Sequence, residues 1–239
     1  MNTPPGGESA PATASADSPD WTLGRVAAAP AVLFLFQLLP LAVAATGARP
    51  ALAGTLALAA TAGILTIGWV AYALCYRRGK SLRSLGLRPP VRTFQLLTAP
   101  LAGVLASLLL LELSQGLYGL LTGGESPPPQ RAAALLSQAR DPLTRGIAAL
   151  TVGLIAPVAE EIVFRGVLYR ALRLRLPLAL ALGLSAAVFS LAHMDTNYFL
   201  HIFGLGLILG AIVERSRSLY PAMILHALNN AAALATLWR

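Results

Sequence analysis

The chain has 239 residues, 56% of them hydrophobic and only 12% charged, with a mean hydropathy of +0.67, which excludes an ordinary soluble globular protein. Its net charge of +8 would suggest nucleic acid in a soluble chain, but here the basic residues lie in short loops between apolar runs. That is the pattern of membrane topology, and it excludes a nucleic-acid partner. The single cysteine, Cys75, excludes an intramolecular disulfide and, inside an apolar run, reads as core filler.

Residues 1–20 are rich in Pro, Ala and Ser, carry acids but no Lys or Arg, and lack the basic start of a signal peptide, so a disordered tail is expected. Apolar runs follow at 26–47, 51–76, 94–122, 146–172, 177–196, 198–213 and 219–238. Crossing a ~30 Å hydrocarbon core takes about 20 helical residues, and lipid offers no hydrogen-bond partners to the backbone. The fold class expected is therefore all-α, a polytopic membrane protein of about seven transmembrane helices, the sixth short. Between them, 77–92 is a basic loop, and 123–130 breaks helix ahead of a short amphipathic stretch ending near Arg145. No internal repeat is present.

Twelve of the Lys and Arg residues fall on one side of this layout: Arg25, the six of 77–92, Arg170, Arg173, Arg175, Arg215 and Arg217. Five fall on the other, Arg49, Arg131, Arg140, Arg145 and Arg239, and Arg165 is left within the membrane. By the positive-inside rule the larger set is cytoplasmic, which puts the N-terminus inside and the C-terminus outside a cell inner (plasma) membrane.

The stretch APVAEEIVFRGVLYRAL, residues 156–172, sets Glu160, Glu161 and Arg165 in an otherwise apolar span. Ionisable residues there are costly and are functional candidates by default. All the histidines, His193, His201 and His226, follow within the last 50 residues. At 1.5 Å per residue, Glu160 lies about 18 Å from the cytoplasmic turn near Leu172, His193 about 24 Å from Pro177, and His226 and Asn230 roughly 10 and 16 Å from Leu219. These groups can meet in one layer.

Adjacent helical residues point about 100° apart, so Glu160 and Glu161 are not expected to face one site, whereas Glu161 and Arg165 at i and i+4 share a face. The economical reading pairs Glu161 with Arg165 and leaves Glu160 aimed into a cavity. The alternative is that both glutamates merely neutralise Arg165. His226 and Asn230, also i and i+4, present two hydrogen-bonding groups to one spot or make a plain interhelical contact. Phe189 is expected to pack on His193, and Gly204, Gly206 and Gly210 to let helices approach closely. His201 is expected near the membrane interface rather than in the site, and Glu112, with Gln115 nearby, in an interhelical hydrogen bond.

The ordered set EEIVFR, FSLAH, FGLGLILG and HALNN, spread over residues 150–239, resembles the CPBP family of intramembrane proteases, which includes the CAAX-prenyl endopeptidase and Abi proteins. SLRSLGLRPP resembles the basic segment many members carry before the core. The resemblance implies an intramembrane endopeptidase acting on a membrane-associated peptide or protein, with lipid as its surroundings and a glutamate-activated water as nucleophile. It divides the chain into the tail 1–20, accessory transmembrane helices and basic loop 21–145, and a catalytic core 146–239. Carried over by position, Glu160 is the general base, Glu161 and Arg165 support it, His193 positions or co-activates the water, and His226 and Asn230 stabilise the oxyanion. A poorly hydrated carboxylate is a stronger base than one in water, and donors in a low-dielectric pocket stabilise developing charge. Two other readings are a non-catalytic binding or immunity module of the same fold, and a transporter or proton relay, for which no inverted repeat speaks. No cofactor is predicted. Zinc is the alternative, since one carboxylate and two imidazoles also make catalytic zinc sites, although the HExxH signature is absent. The sequence carries no signal of oligomeric state.

Overall fold

The computed structural model describes residues 51–79 and 81–239, together with Ala28 and Ala31. The tail 1–20 and the first expected span, 26–47, lie outside the described residues. Those described form an all-α membrane protein: there is no strand among them, and four helices are long and apolar enough to cross a membrane, Leu52–Ala73, Gln95–Thr122, Pro142–Arg173 and Thr196–Ser216.

In chain order, α1 is Leu52–Val70, prolonged by a π-helical turn Ala71–Cys75 and a 3₁₀ turn Tyr76–Arg78 that Gly79 ends at φ 60°. Next comes α2, Gln95–Thr122, then the short α3, Arg131–Leu136. The central helix, α4, is Pro142–Arg173, and it is not uniform: α-helical stretches alternate with π-helical ones at Thr151–Ile155 and Ile162–Tyr169. The remaining helices are α5, Leu178–Ala192; α6, Phe199–Ser216, entered by a 3₁₀ turn at Thr196–Tyr198; and α7, Tyr220–Leu237.

Two ends differ from the sequence expectation for physical reasons. Helix α4 starts at Pro142 rather than near 146, because Asp141 caps it: its Oδ1 accepts from Thr144 N at 2.9 Å and Pro142 occupies the first turn, where a missing N–H costs nothing. Hydrogen bonding from the Thr144 side chain, and then from its backbone N–H, holds the Asp141 carboxyl below the usual carboxylate range. Helix α5 stops at Ala192 rather than 196, because Met194 takes the left-handed conformation at φ 51° and breaks it. Fifteen residues span about 22 Å, short of the hydrocarbon thickness. His193 therefore stands at the end of a helix too short to cross the hydrocarbon core by itself.

The main core gathers on α4, with Val163, Phe164 and Val167 packed against Phe189 of α5, Leu209 of α6 and Leu225 of α7. A smaller cluster of Leu56, Leu136, Ala148 and Leu234 closes the opposite end. Small residues set the spacing: a Cβ at Gly204 would collide with Leu110 of α2, and one at Gly210 would stand 2.7 Å from Leu182 of α5. The basic loop docks over the α6–α7 turn through Leu219 N to Gly86 O at 2.9 Å, Val91 N to Ser216 O at 3.0 Å and Ser218 Oγ to Arg88 O at 2.5 Å. Gly86 sits at φ 95° against the Arg170 guanidinium, so a side chain is excluded there both by conformation and by space.

Candidate active site

Glu160 and Glu161 end a six-residue α-helical stretch, Ala156–Glu161, between the two π-helical segments of α4. Glu161 is fully buried, and Arg165 nearly so at 1% exposure. Arg165 Nη1 donates to Glu161 Oε1 at 2.8 Å, Nη2 donates to the Gly206 carbonyl at 3.2 Å, and the guanidinium lies 4.2 Å from the Phe189 ring centroid. A buried charge is tolerable only when paired and hydrogen-bonded, and Arg165 is both. The i, i+4 geometry read from the sequence is present.

His226, from α7, modifies the expected division between the glutamates. Its Nδ1 lies 3.0 Å from Glu161 Oε1 and its Nε2 lies 3.7 Å from Glu160 Oε2. One imidazole therefore reaches both carboxylates, from its two ring nitrogens. His193 approaches from the end of α5, with Nε2 at 4.0 Å from the same Glu160 Oε2 and Nδ1 at 2.8 Å from the Phe189 carbonyl. Glu160 keeps 13% of its side chain exposed and His193 34%.

The partners assign the tautomers. A carboxylate and a carbonyl only accept, so Nδ1–H donates in both histidines, and in the neutral rings each Nε2 carries its lone pair toward Glu160. Three acceptors thus face one another at separations beyond hydrogen-bond reach. Such a set needs a proton-bearing or cationic species shared between them.

Asn230 does not join that cluster directly. Its Nδ2 donates to the Val152 carbonyl at 2.9 Å, while neighbouring Asn229 accepts from Ser107 of α2 at 2.8 Å. His201, near the start of α6, is buried within the protein, and its Nδ1 has no hydrogen-bond partner among the described residues. Glu112 is exposed on α2, and among the described residues it makes no interhelical hydrogen bond. Helix α2 meets its neighbours through Gly103, Ser107 and Leu110, and Glu112 lies off that face. Cys75 is buried in the core.

Phe189 has more to do than pack on His193. Its ring is edge-to-face with Phe164, His193 and His226 at 5.1, 4.7 and 5.8 Å between centroids, and so seats both imidazoles and the guanidinium. The four-residue spacing of Phe189 and His193 is the only sequence signal of this. The Gly206 carbonyl as an Arg165 partner has none, because backbone groups carry no residue identity. Among the described residues no group of three or more His, Cys, Asp or Glu side chains is arranged to hold a metal ion. Even so, two imidazoles with Nδ1–H bound to a carboxylate and a carbonyl have the outer partners that metal-ligating histidines use.

Residues 142–232 match the family model of the Rce1-like type II CAAX prenyl endopeptidases. No curated protein and no solved structure matches the chain. The matched stretch includes Glu160, Glu161, Arg165, His193, His226 and Asn230, so residues 142–232 are similar to the Rce1-like type II CAAX prenyl endopeptidases, consistent with the CPBP resemblance of the motifs.

Proposed function

We propose that this multi-pass membrane protein is an intramembrane endopeptidase that hydrolyses a peptide bond of a membrane-associated, CAAX-type substrate with a water activated by Glu160. The observation that carries this is the convergence of His193 Nε2 and His226 Nε2 on Glu160 Oε2, at 4.0 and 3.7 Å, separations across which one water molecule can bridge the carboxylate and an imidazole. Glu160 takes one proton from that water while its oxygen attacks the scissile carbonyl carbon. The tetrahedral intermediate then collapses, the C–N bond breaks, and the departing amine receives the proton from Glu160. His226 in its protonated form, and the second N–H of Asn230, are the donors proposed for the oxyanion. Glu161 accepts the His226 Nδ1–H and so supports the protonated form this requires, and Arg165 holds Glu161 in place.

The test is cleavage of membrane-anchored peptides by purified protein. Products should form with the wild type and vanish with Glu160→Gln; equal cleavage by both would remove Glu160 from the chemistry.

The lone pairs that His193 and His226 turn toward Glu160 favour a second reading, in which these three residues ligate zinc and the metal activates the water. The preferred reading is the metal-free one, since the HExxH signature is absent and the dispersed histidines serve equally as hydrogen-bonding groups around a water.

A further inference from the structure

The Val152 carbonyl belongs to a helix that has no amide to give it. In the π-helical turn Thr151–Ile155, the Ala156 N–H reaches back five residues to Thr151 O, so the amide four residues beyond Val152 is spent. The amide five residues beyond is that of residue 157, a proline, which has no N–H. A helical carbonyl so stranded at membrane depth needs a partner from elsewhere. Asn230 supplies it from α7, Nδ2 to Val152 O at 2.9 Å, and because a carbonyl only accepts, the amide orientation is unambiguous.

The consequence lies one helical turn away on α7 and about two and a half turns away on α4. Asn230 is four residues beyond His226 on α7, and Val152 is nine residues before Glu161 on α4. The two helices are therefore keyed at two points, Asn230 to Val152 and His226 to Glu161. Between them lie the π turn and Pro157, where the α-helical ladder of α4 is interrupted. Thr151 Oγ1 holds the same turn from the other side, donating to Leu56 O of α1 at 3.3 Å.

We propose that Asn230 is a positioning residue that occupies the carbonyl orphaned by Pro157 and thereby sets the rotation of Glu160 and Glu161 relative to His226. This rests on the endopeptidase reading for its importance to turnover, but the clip itself is tested without turnover. With Asn230 as an oxyanion donor alone, residue 157 would be irrelevant to it. With Asn230 as a clip, giving residue 157 an N–H should relieve its loss.

The experiment compares full-length wild type, Asn230→Ala and the double variant Asn230→Ala/Pro157→Ala in detergent, each with ¹⁵N-labelled histidine, reading imidazole nitrogen shifts at one fixed pH. Asn230→Ala should displace the His226 signals, and the double variant should bring them back toward wild type. On a membrane-anchored reporter peptide, kcat should fall about tenfold or more in Asn230→Ala and recover only in part in the double variant, which restores the alignment but not the oxyanion N–H. Signals unmoved in Asn230→Ala, or still displaced in the double variant, would overturn the proposal. If Asn230→Ala does not fold, a cooperative melting transition regained by the double variant is the same rescue, and its absence overturns the idea equally. Since the imidazole comparison uses no substrate, a wild type that cleaves nothing counts against the peptidase reading and not against the clip.

Discussion

His226 Nδ1 stands 3.0 Å from Glu161 Oε1 in the buried centre of the bundle. The imidazole is therefore part of the fold as well as of the site, and the two histidines should differ on mutation. His226 is 4% exposed and shares the Glu161 oxygen with Arg165, whereas His193 is 34% exposed at the end of a helix. His226→Ala should destabilise by about 1–3 kcal/mol, the scale of a lost buried hydrogen bond to a charge, and His193→Ala by less than about 1 kcal/mol. Both should abolish turnover. Thermal melts in detergent, run beside a cleavage assay, check the contrast; equal losses of stability would refute it.

The glutamates should separate in the same way. Glu160→Gln keeps its volume and touches no buried ion pair, so the protein should fold and insert while losing activity. Arg165→Ala strands the Glu161 carboxylate and should cost about 3–5 kcal/mol. If Glu160→Gln unfolds the protein as severely as Arg165→Ala, the assignment of roles is wrong.

Gly86 predicts a defect remote from the chemistry. Its φ of 95° and its contact with the Arg170 guanidinium leave no room for a methyl group, so Gly86→Ala should destabilise by about 1–3 kcal/mol and loosen the basic loop from the α6–α7 turn. Faster proteolysis between residues 77 and 92, measured against the wild type, is the expected readout.

Orientation follows from the basic residues at 77–92, 170–175 and 215–217. A reporter inserted after Arg83 should behave as cytoplasmic, and one fused after Arg239 as exported. The reverse pattern would turn the whole site over in the membrane.

Metal dependence separates the two chemical readings. The water mechanism expects well under one zinc per chain by elemental analysis and full activity after chelation and dialysis. Stoichiometric zinc, with activity lost on removal and regained on return, would make Glu160, His193 and His226 ligands.

The amino-acid sequence by itself determined what depends on near neighbours. Apolar runs in lipid must be helical because nothing else satisfies their backbone, Asp141 and Pro142 start a helix by local capping, and Glu161 meets Arg165 because four residues make about one turn. Tertiary structure alone decided everything that depends on the rotation and depth of one helix against another. No spacing within a helix says that His226 will touch both glutamates, that Gly206 will offer its carbonyl to Arg165, or that Glu112 will miss the interface that Ser107 and Asn229 occupy. Those contacts follow from how closely Gly204 lets α6 approach Leu110 and from where the π turns of α4 shift its phase. A periodicity of 3.6 residues cannot register such a shift, because it is fixed by partners on other helices, as Asn230 is for Val152.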